Sequence, residues 1–289
     1  MGRRCHVVST TYGIGLESGQ WSLSNGLNAG RYEADLIDEN HASEEHTGSQ
    51  RYIRDILSLG CGFSPRWNGF FDIPYEYRVQ RVDDESPHHQ NETLAAPGDL
   101  HLRVNYLWEN SVFGPGWRIY TGAGLILPTG SSYNSNVFVP EADSVFHSHM
   151  VTGLGNYQMT FRCEIYYRSN FPVAGGLILN GRFPVWISEN TYSLGTGWSV
   201  LWANYLQSLR ILASVPRLNL LVSAQIQESW GSQEWPNSGG WKIDAQVGWI
   251  TELSENWTGA FEVSVPIYQN FQGSQLSGTG MNVTIRYIF

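Results

Sequence analysis

Near the C-terminal end the chain reads Trp241-Lys242-Ile243-Asp244-Ala245-Gln246-Val247-Gly248-Trp249-Ile250-Thr251-Glu252. Every second residue, Trp241, Ile243, Ala245, Val247, Trp249 and Thr251, makes one mostly apolar, aromatic set. The residues between them, Lys242, Asp244, Gln246, Gly248, Ile250 and Glu252, are largely polar. Successive side chains of a β-strand point to opposite faces, so a period of two sorts them cleanly, whereas a helical period of 3.6 would mix them. This stretch is a strand with one apolar and one polar face.

The same period recurs along the chain. Trp257, Phe261, Val263, Val265 and Ile267 oppose Thr258, Glu262, Ser264 and Tyr268; Met281, Val283, Ile285, Tyr287 and Phe289 oppose Asn282, Thr284 and Arg286. Phe71 to Gln80, Leu100 to Glu109, Tyr157 to Arg168 and Leu218 to Gln227 alternate alike, with less regular runs near residues 32–37, 52–63, 117–127, 171–184 and 198–206. These make about twelve strands, most of them longer than the roughly five or six residues of an average strand. Short connections, such as 64–68, 111–116, 169–170 and 254–256, alternate with longer polar ones at 38–48, 83–97, 131–149 and 228–239. No Pro/Ser linker or composition break divides the chain, so residues 28–289 are read as one domain, preceded by a segment, 1–27, of open structure.

Composition narrows the class. The 289 residues are 42% hydrophobic, 13% aromatic and only 15% charged, with net charge −9 and 31 glycines. Lys242 is the single lysine among 17 basic residues. A disordered chain lacks aromatics, a nucleic-acid binder carries a basic surface, and a helical membrane protein needs roughly 18 or more consecutive apolar residues. None of these fits, and nucleic acid is not an expected partner. The three cysteines, Cys5, Cys61 and Cys163, have neither metal spacing nor the density of a disulfide framework. Residues 1–6 are positively charged without the apolar stretch of a secretory signal, so export would require a signal upstream of the given start.

An apolar face on every strand turns either into a soluble core or out toward lipid. The alternation of short and long connections is the pattern of up-and-down membrane barrels, and a soluble sandwich gives no reason for it. A soluble surface draws on lysine and glutamate, whereas the strand charges here are mostly arginine with nearby carboxylates, as in Glu76 with Arg78 and Arg162 with Glu164. Trp108, Trp117, Trp198, Trp241 and Trp257 fall near strand ends, where interfacial girdles belong. The expected fold is therefore all-β, an antiparallel up-and-down transmembrane barrel of about twelve strands in the bacterial outer membrane. Lumen-lining candidates are Asp72, Glu76, Arg78, Arg103, Arg118, Arg162, Glu164, Lys242, Asp244, Glu262 and Arg286. A barrel of this size lies between the filled eight-stranded type and the aqueous porins.

The terminal run Met281 to Phe289 resembles the C-terminal signal of bacterial outer-membrane barrels, with Val283, Ile285, Tyr287 and Phe289 at the matching positions. That resemblance implies recognition by the barrel-assembly machinery, with membrane lipid and lipopolysaccharide as surroundings. Gly98-Asp99-Leu100-His101-Leu102-Arg103-Val104-Asn105-Tyr106, followed by Gly122-Ala123-Gly124-Leu125-Ile126-Leu127-Pro128-Thr129-Gly130, resembles the meta-pathway phenol-degradation family of outer-membrane proteins. This second resemblance spans Gly98 to the C-terminus and implies a barrel that passes small hydrophobic or aromatic solutes. Pro128 ends a strand because it donates no hydrogen bond, and Thr129-Gly130 can turn the chain, so the motif is primarily structural.

Candidate chemistry is sparse. His147-Ser148-His149 invites comparison with serine esterases, but a nucleophile needs a base and an orienting partner in reach, and solvated loop residues are the plainer account. Asp83-Asp84-Glu85 with His88, His89 and Glu92, and the acidic set Glu33, Asp35, Asp38, Glu39, Glu44 and Glu45, lack calcium-loop spacing and read as solvated loops. Asp72 and Glu76 share a strand face, yet pairing with Arg78 accounts for them without glycosidase chemistry. The expectation is a passive channel for small solutes, with no catalytic residue, metal or cofactor. A lipase-like barrel enzyme and a soluble secreted carbohydrate-binding protein are the alternatives.

Overall fold

A computed structural model describes residues 16–37, 45–82, 91–110, 116–130, 152–153, 156–168, 173–185, 192–193, 195–206, 209, 213–226, 229–230, 233–234, 239–272 and 275–289. In chain order the strands are β1 (Trp21–Ile37), β2 (Glu45–Gly62), β3 (Trp67–Val82), β4 (Glu92–Pro97), β5 (Leu100–Asn110), β6 (Gly116–Leu127), β7 (Gln158–Arg168) and β8 (Val173–Pro184). There follow β9 (Tyr192–Ser193), β10 (Gly197–Leu206), β11 (Ser214–Gln225), β12 (Ser229–Trp230), β13 (Gln233–Glu234), β14 (Gly240–Glu252), β15 (Trp257–Phe271), β16 (Gln275–Ser277) and β17 (Gly280–Ile288). β1 begins ahead of the boundary at residue 28 read from the sequence.

The long strands pair antiparallel in the order β1, β17, β15, β14, β11, β10, β8, β7, β6, β5, β3, β2, and β2 pairs back onto β1. The result is a closed barrel of 12 strands. Closure satisfies the backbone of every wall strand and leaves no sheet edge. Chain entry and exit meet at the short-turn end, where the Trp21 and Phe289 amides donate to each other's carbonyls at 2.9 and 3.0 Å. Just before β1, the Leu16 amide donates to Asn68 Oδ1, and Leu16 is buried.

β4 and β5 form one wall strand with a break between them. β4 pairs with β3 over Tyr75–Gln80 and β5 over Trp67–Asp72. At the break the chain packs closely: a side chain on Gly98 would begin 3.0 Å from Pro74 Cγ and 3.3 Å from the Thr152 carbonyl, so its neighbours would have to give by a few tenths of an ångström. The two segments of the family-like motif meet here. Leu100 pairs with Leu127, its amide donates to Thr129 Oγ1 at 2.9 Å, and the Gly130 amide donates to Asp99 Oδ1 at 2.8 Å. Thr152 Oγ1 donates to the Pro97 carbonyl at 2.8 Å. The residues that carry the resemblance thus tie β5 to the end of β6.

Alternation follows the sequence pattern along most strands, with one informative exception. The register between β14 and β15 shifts at Ile243/Asp244, pairing Ile243 with Tyr268 and Asp244 with Pro266. The extra residue of a bulge breaks the period of two. Tyr268 consequently leaves the polar set in which alternation alone places it and stacks on outward-facing Trp241, ring centroids 4.7 Å apart.

Candidate functional site

The outer face is apolar. Leu23, Ile53, Leu57, Leu102, Val104, Phe161, Trp202, Leu218, Val247, Trp249, Val265 and Ile285 all stand exposed on it. At the short-turn end aromatic rings pack against one another with centroids 4.8 Å apart: Trp67 with Tyr106, edge to face, and Trp117 with Tyr167 and Trp257 with Tyr287, tilted. Tyr287 also stacks on Phe289 at 5.7 Å. Ile285 and Phe289 are exposed on this face, and the register puts Val283 and Tyr287 there too. The register places Asn25 and Asp55 on this face too, where Asn25 donates to Asp55 Oδ1 at 2.6 Å; even so, the apolar surface is far larger than the few hundred Å² a soluble monomer exposes, and its medium is hydrocarbon.

The inner face is polar and ionic, and its charges are organised by the same period of two. On β3, Arg78 reaches Glu76 through Nε and a terminal nitrogen at 3.0 and 2.7 Å, and Arg54 of β2 binds the other carboxylate oxygen at 2.5 Å. Asp72, two repeats of the pleat away, meets Arg103 at 3.3 Å and His101 at 3.5 Å and accepts from Ser58. On β7, Arg162 pairs with Glu164 and donates to Asn180 Oδ1 at 3.1 Å. On β14, Lys242 pairs with Asp244 at 3.0 Å and donates to Ser277 Oγ at 3.1 Å. Across β11 and β15, Arg217 meets Glu262 at 3.2 Å while Asn219 donates to the same carboxylate at 2.9 Å. Arg118 donates to Tyr120 Oη at 2.7 Å, and Arg286 is 5% exposed.

Of the eleven residues named from the sequence as lumen candidates, Asp72, Glu76, Glu164, Asp244, Glu262 and Arg286 are buried, Arg78, Arg103, Arg162 and Lys242 are ion-paired to four of these carboxylates, and Arg118 is bound to Tyr120. Sequence reasoning passed over Arg54, Arg182 and Arg217, which join them. Arg217 has the parity of Asn219 and Ser223 opposite Leu218, a signal present in the sequence, whereas Arg54 sits in a run too irregular to assign. The partnerships across strands, such as Arg217 with Glu262, have no signature in a single sequence.

Inside the wall formed by β7 to β15, the lumen is filled. Tyr166, Ile178, Leu201, Ala203, Tyr205, Val215, Ile250 and Ala260 form one buried cluster pointing inward. Arg217 lies against the Tyr205 ring, its Cζ 5.4 Å from the centroid. The closed ring is about 24 Å across from backbone to backbone, taking a strand spacing of about 4.8 Å and a tilt near 40°; these side chains narrow it on one side. The opposite wall carries the small inward residues Ser22, Ser24, Gly26, Asn28 and Gly30 of β1; Ser22 is buried, and the Tyr52 ring lies over Gly30.

Among the described residues, no group of three or more His, Cys, Asp or Glu is placed to hold a metal ion. His147, Ser148 and His149, and the acidic sets at Asp83–Glu85 with His88 and His89 and at Asp38, Glu39 and Glu44, lie outside the described residues. Glu33, Asp35 and Glu45 belong to described strands, with their backbones paired in the wall. Glu92 lies in β4 and pairs with Gln80 of β3.

No protein-family model matches the chain, and no curated protein matches it in sequence. Among solved structures, it is similar to the COG4313 outer membrane channel of Pseudomonas putida F1, with TM-score 0.70 and 9% identity over 95% of this chain and 97% of that one. The chain has the fold of an outer-membrane channel. The NanC porin is also similar, with TM-score 0.49 and 10% identity over 91% of this chain and 98% of that one, too distant to add to the fold assignment.

Proposed function

We propose that this chain is a passive outer-membrane channel for small solutes. The observation that carries the reading is the inversion of the wall: an apolar, aromatic-girdled outside and an inside built of ion pairs, in a closed barrel of 12 strands. A barrel that served only as an anchor would have no need of so many charges in its interior, where each must be paired or hydrogen-bonded. The similar Pseudomonas structure is described as an outer membrane channel, which supports the same role here.

Phe70 stands half-buried among the inner charges with the Arg103 guanidinium 5.0 Å from its ring centroid, an aromatic surface beside which a flat solute can pass. This supports hydrophobic or aromatic solutes, the class that the sequence resemblance implies. In this reading no bond is made or broken in the barrel, the outer face contacts lipid and lipopolysaccharide, and the exposed β17 face ending at Phe289 is the surface that the assembly machinery reads. Planar-bilayer conductance and liposome swelling test the proposal. Discrete conductance steps and solute-dependent swelling are expected; a correctly folded barrel that passes neither ions nor small solutes overturns it.

A further inference from the structure

One polar pair interrupts the lipid-facing side of the barrel. Asn25 of β1 shares its parity with Leu23 and Leu27, and Asp55 of β2 with Ile53 and Leu57, so both side chains leave the wall outward. Asn25 Nδ2 donates to Asp55 Oδ1 at 2.6 Å, and among the described residues Asp55 has no second partner.

The depth of this pair is what makes it unusual. Asn25 lies four residues along β1 from Trp21 at the short-turn end, and Asp55 pairs with Leu27, six residues along. A strand tilted near 40° climbs about 2.5 Å per residue, so the pair stands about 10–15 Å above that end of an apolar band about 25 Å tall. That is the middle of the hydrocarbon. The outward cations of these two strands, Arg31 and Arg51, face each other four residues beyond Leu27 and Asp55, about 13 Å along the strands and too far to neutralise the carboxylate. Polar groups that face acyl chains find no water there, and an unmet donor or acceptor is costly.

The pair uses one of the two Asn25 amide hydrogens and one of the two Asp55 oxygens, so a donor and an acceptor remain side by side. Acyl chains offer neither. A second copy offers both, because the membrane holds every copy at one depth. A two-fold axis along the membrane normal carries the patch onto its counterpart at the same level and sets the remaining amide hydrogen of each Asn25 against the remaining carboxylate oxygen of the other. The surroundings allow the approach: from Leu23 to Ala29 on β1 and from Ile53 to Leu59 on β2 the other outward side chains are aliphatic, with no ring to hold a second wall away.

We propose that the outer face of β1 and β2 is the interface of a homodimer, two barrels joined about a two-fold axis by their Asn25–Asp55 pairs. Each barrel keeps its own lumen, so the inference stands apart from the channel reading.

The test uses the full chain in phospholipid vesicles, with the background C5S/C61S/C163S and one introduced cysteine. Under copper–phenanthroline oxidation L27C, beside Asp55 on the seam, should give a crosslinked dimer, whereas L177C, outward on β8 and six strands round the barrel from β1, should not. Photobleaching of copies dye-labelled at L177C counts the copies in each particle without requiring disulfide geometry, and two steps are expected. Adding N25L/D55L, which removes both polar groups, should lower the dimeric fraction at least about fivefold, since two interchain hydrogen bonds are lost. The exchange N25D/D55N keeps one donor and one acceptor on each copy and should hold the dimeric fraction within about twofold of the original. Heat-modifiable gel migration verifies that each variant folds. Single-step bleaching overturns the dimer. Two-step bleaching without L27C crosslinking, or with equal crosslinking at L177C, overturns the assignment of the interface to β1 and β2. A dimer that survives N25L/D55L overturns the role of the polar pair.

Discussion

Glu262→Ala is the perturbation that asks most directly whether the filled side of the lumen is dry. The Glu262 side chain is 8% exposed and its partner Arg217 is 0% exposed, the two joined at 3.2 Å with Asn219 donating to the same oxygen at 2.9 Å. Removing one member of a buried pair costs about 3–5 kcal/mol, because the remaining charge stays in a medium that solvates it poorly. An exposed pair is worth about 0–1 kcal/mol. Arg54→Met removes a side chain that is 46% exposed and leaves the buried Glu76 carboxylate paired with Arg78 at 2.7 Å, so it is the internal control and should cost about 1 kcal/mol. Replacing both members in R217M/E262M should return stability to within about 1 kcal/mol of the original, since apolar side chains of similar volume fill the same space without a desolvation penalty. The assay is reversible urea unfolding in lipid vesicles followed by fluorescence of the 12 tryptophans. If Glu262→Ala costs no more than Arg54→Met, water reaches Arg217, and the reasoning that side chains seal this side of the barrel is refuted.

Other outcomes follow from the same geometry. Val247→Arg puts a cation on the exposed outer face and should destabilise by about 2–4 kcal/mol in vesicles, whereas Asn282→Arg on the inner face should cost little; equal costs would mean that the faces have been assigned wrongly. Gly176→Ala would place its new carbon 2.2 Å from the Tyr166 ring and should cost about 1–3 kcal/mol, while Gly26→Ala finds only ordinary contacts, the nearest at 3.5 Å, and should stay within about 0.5 kcal/mol. Melting curves in detergent distinguish the two. Removal of Phe289, exposed at the end of the terminal strand, should lower the folded, heat-modifiable fraction in cells severalfold while leaving refolding into detergent nearly unchanged. An undiminished folded fraction in cells would count against its role in assembly.

Much of the wall could be read from the chain alone, because facing direction is a property of each strand by itself. Trp241 to Glu252 alternates in space as it does in sequence, and so does Met281 to Phe289. The same period makes Glu76 with Arg78, Arg162 with Glu164 and Lys242 with Asp244 neighbours on one face, whatever lies beside them. Tyr268 shows where that rule stops: the bulge opposite Ile243 arises from the pairing of two strands, and neither sequence alone announces it.

What only the tertiary structure decided is which faces meet across the lumen. The register of β11, β14 and β15 places Arg217 and Glu262 at the same level, each pairing with Gly248 of the strand between them. Strand period depends on backbone geometry within a few residues, and composition therefore determines an apolar outside and a polar inside. The stagger of strands around a closed ring is a collective property of the whole barrel, and it is this stagger that sets the charges of the interior against one another.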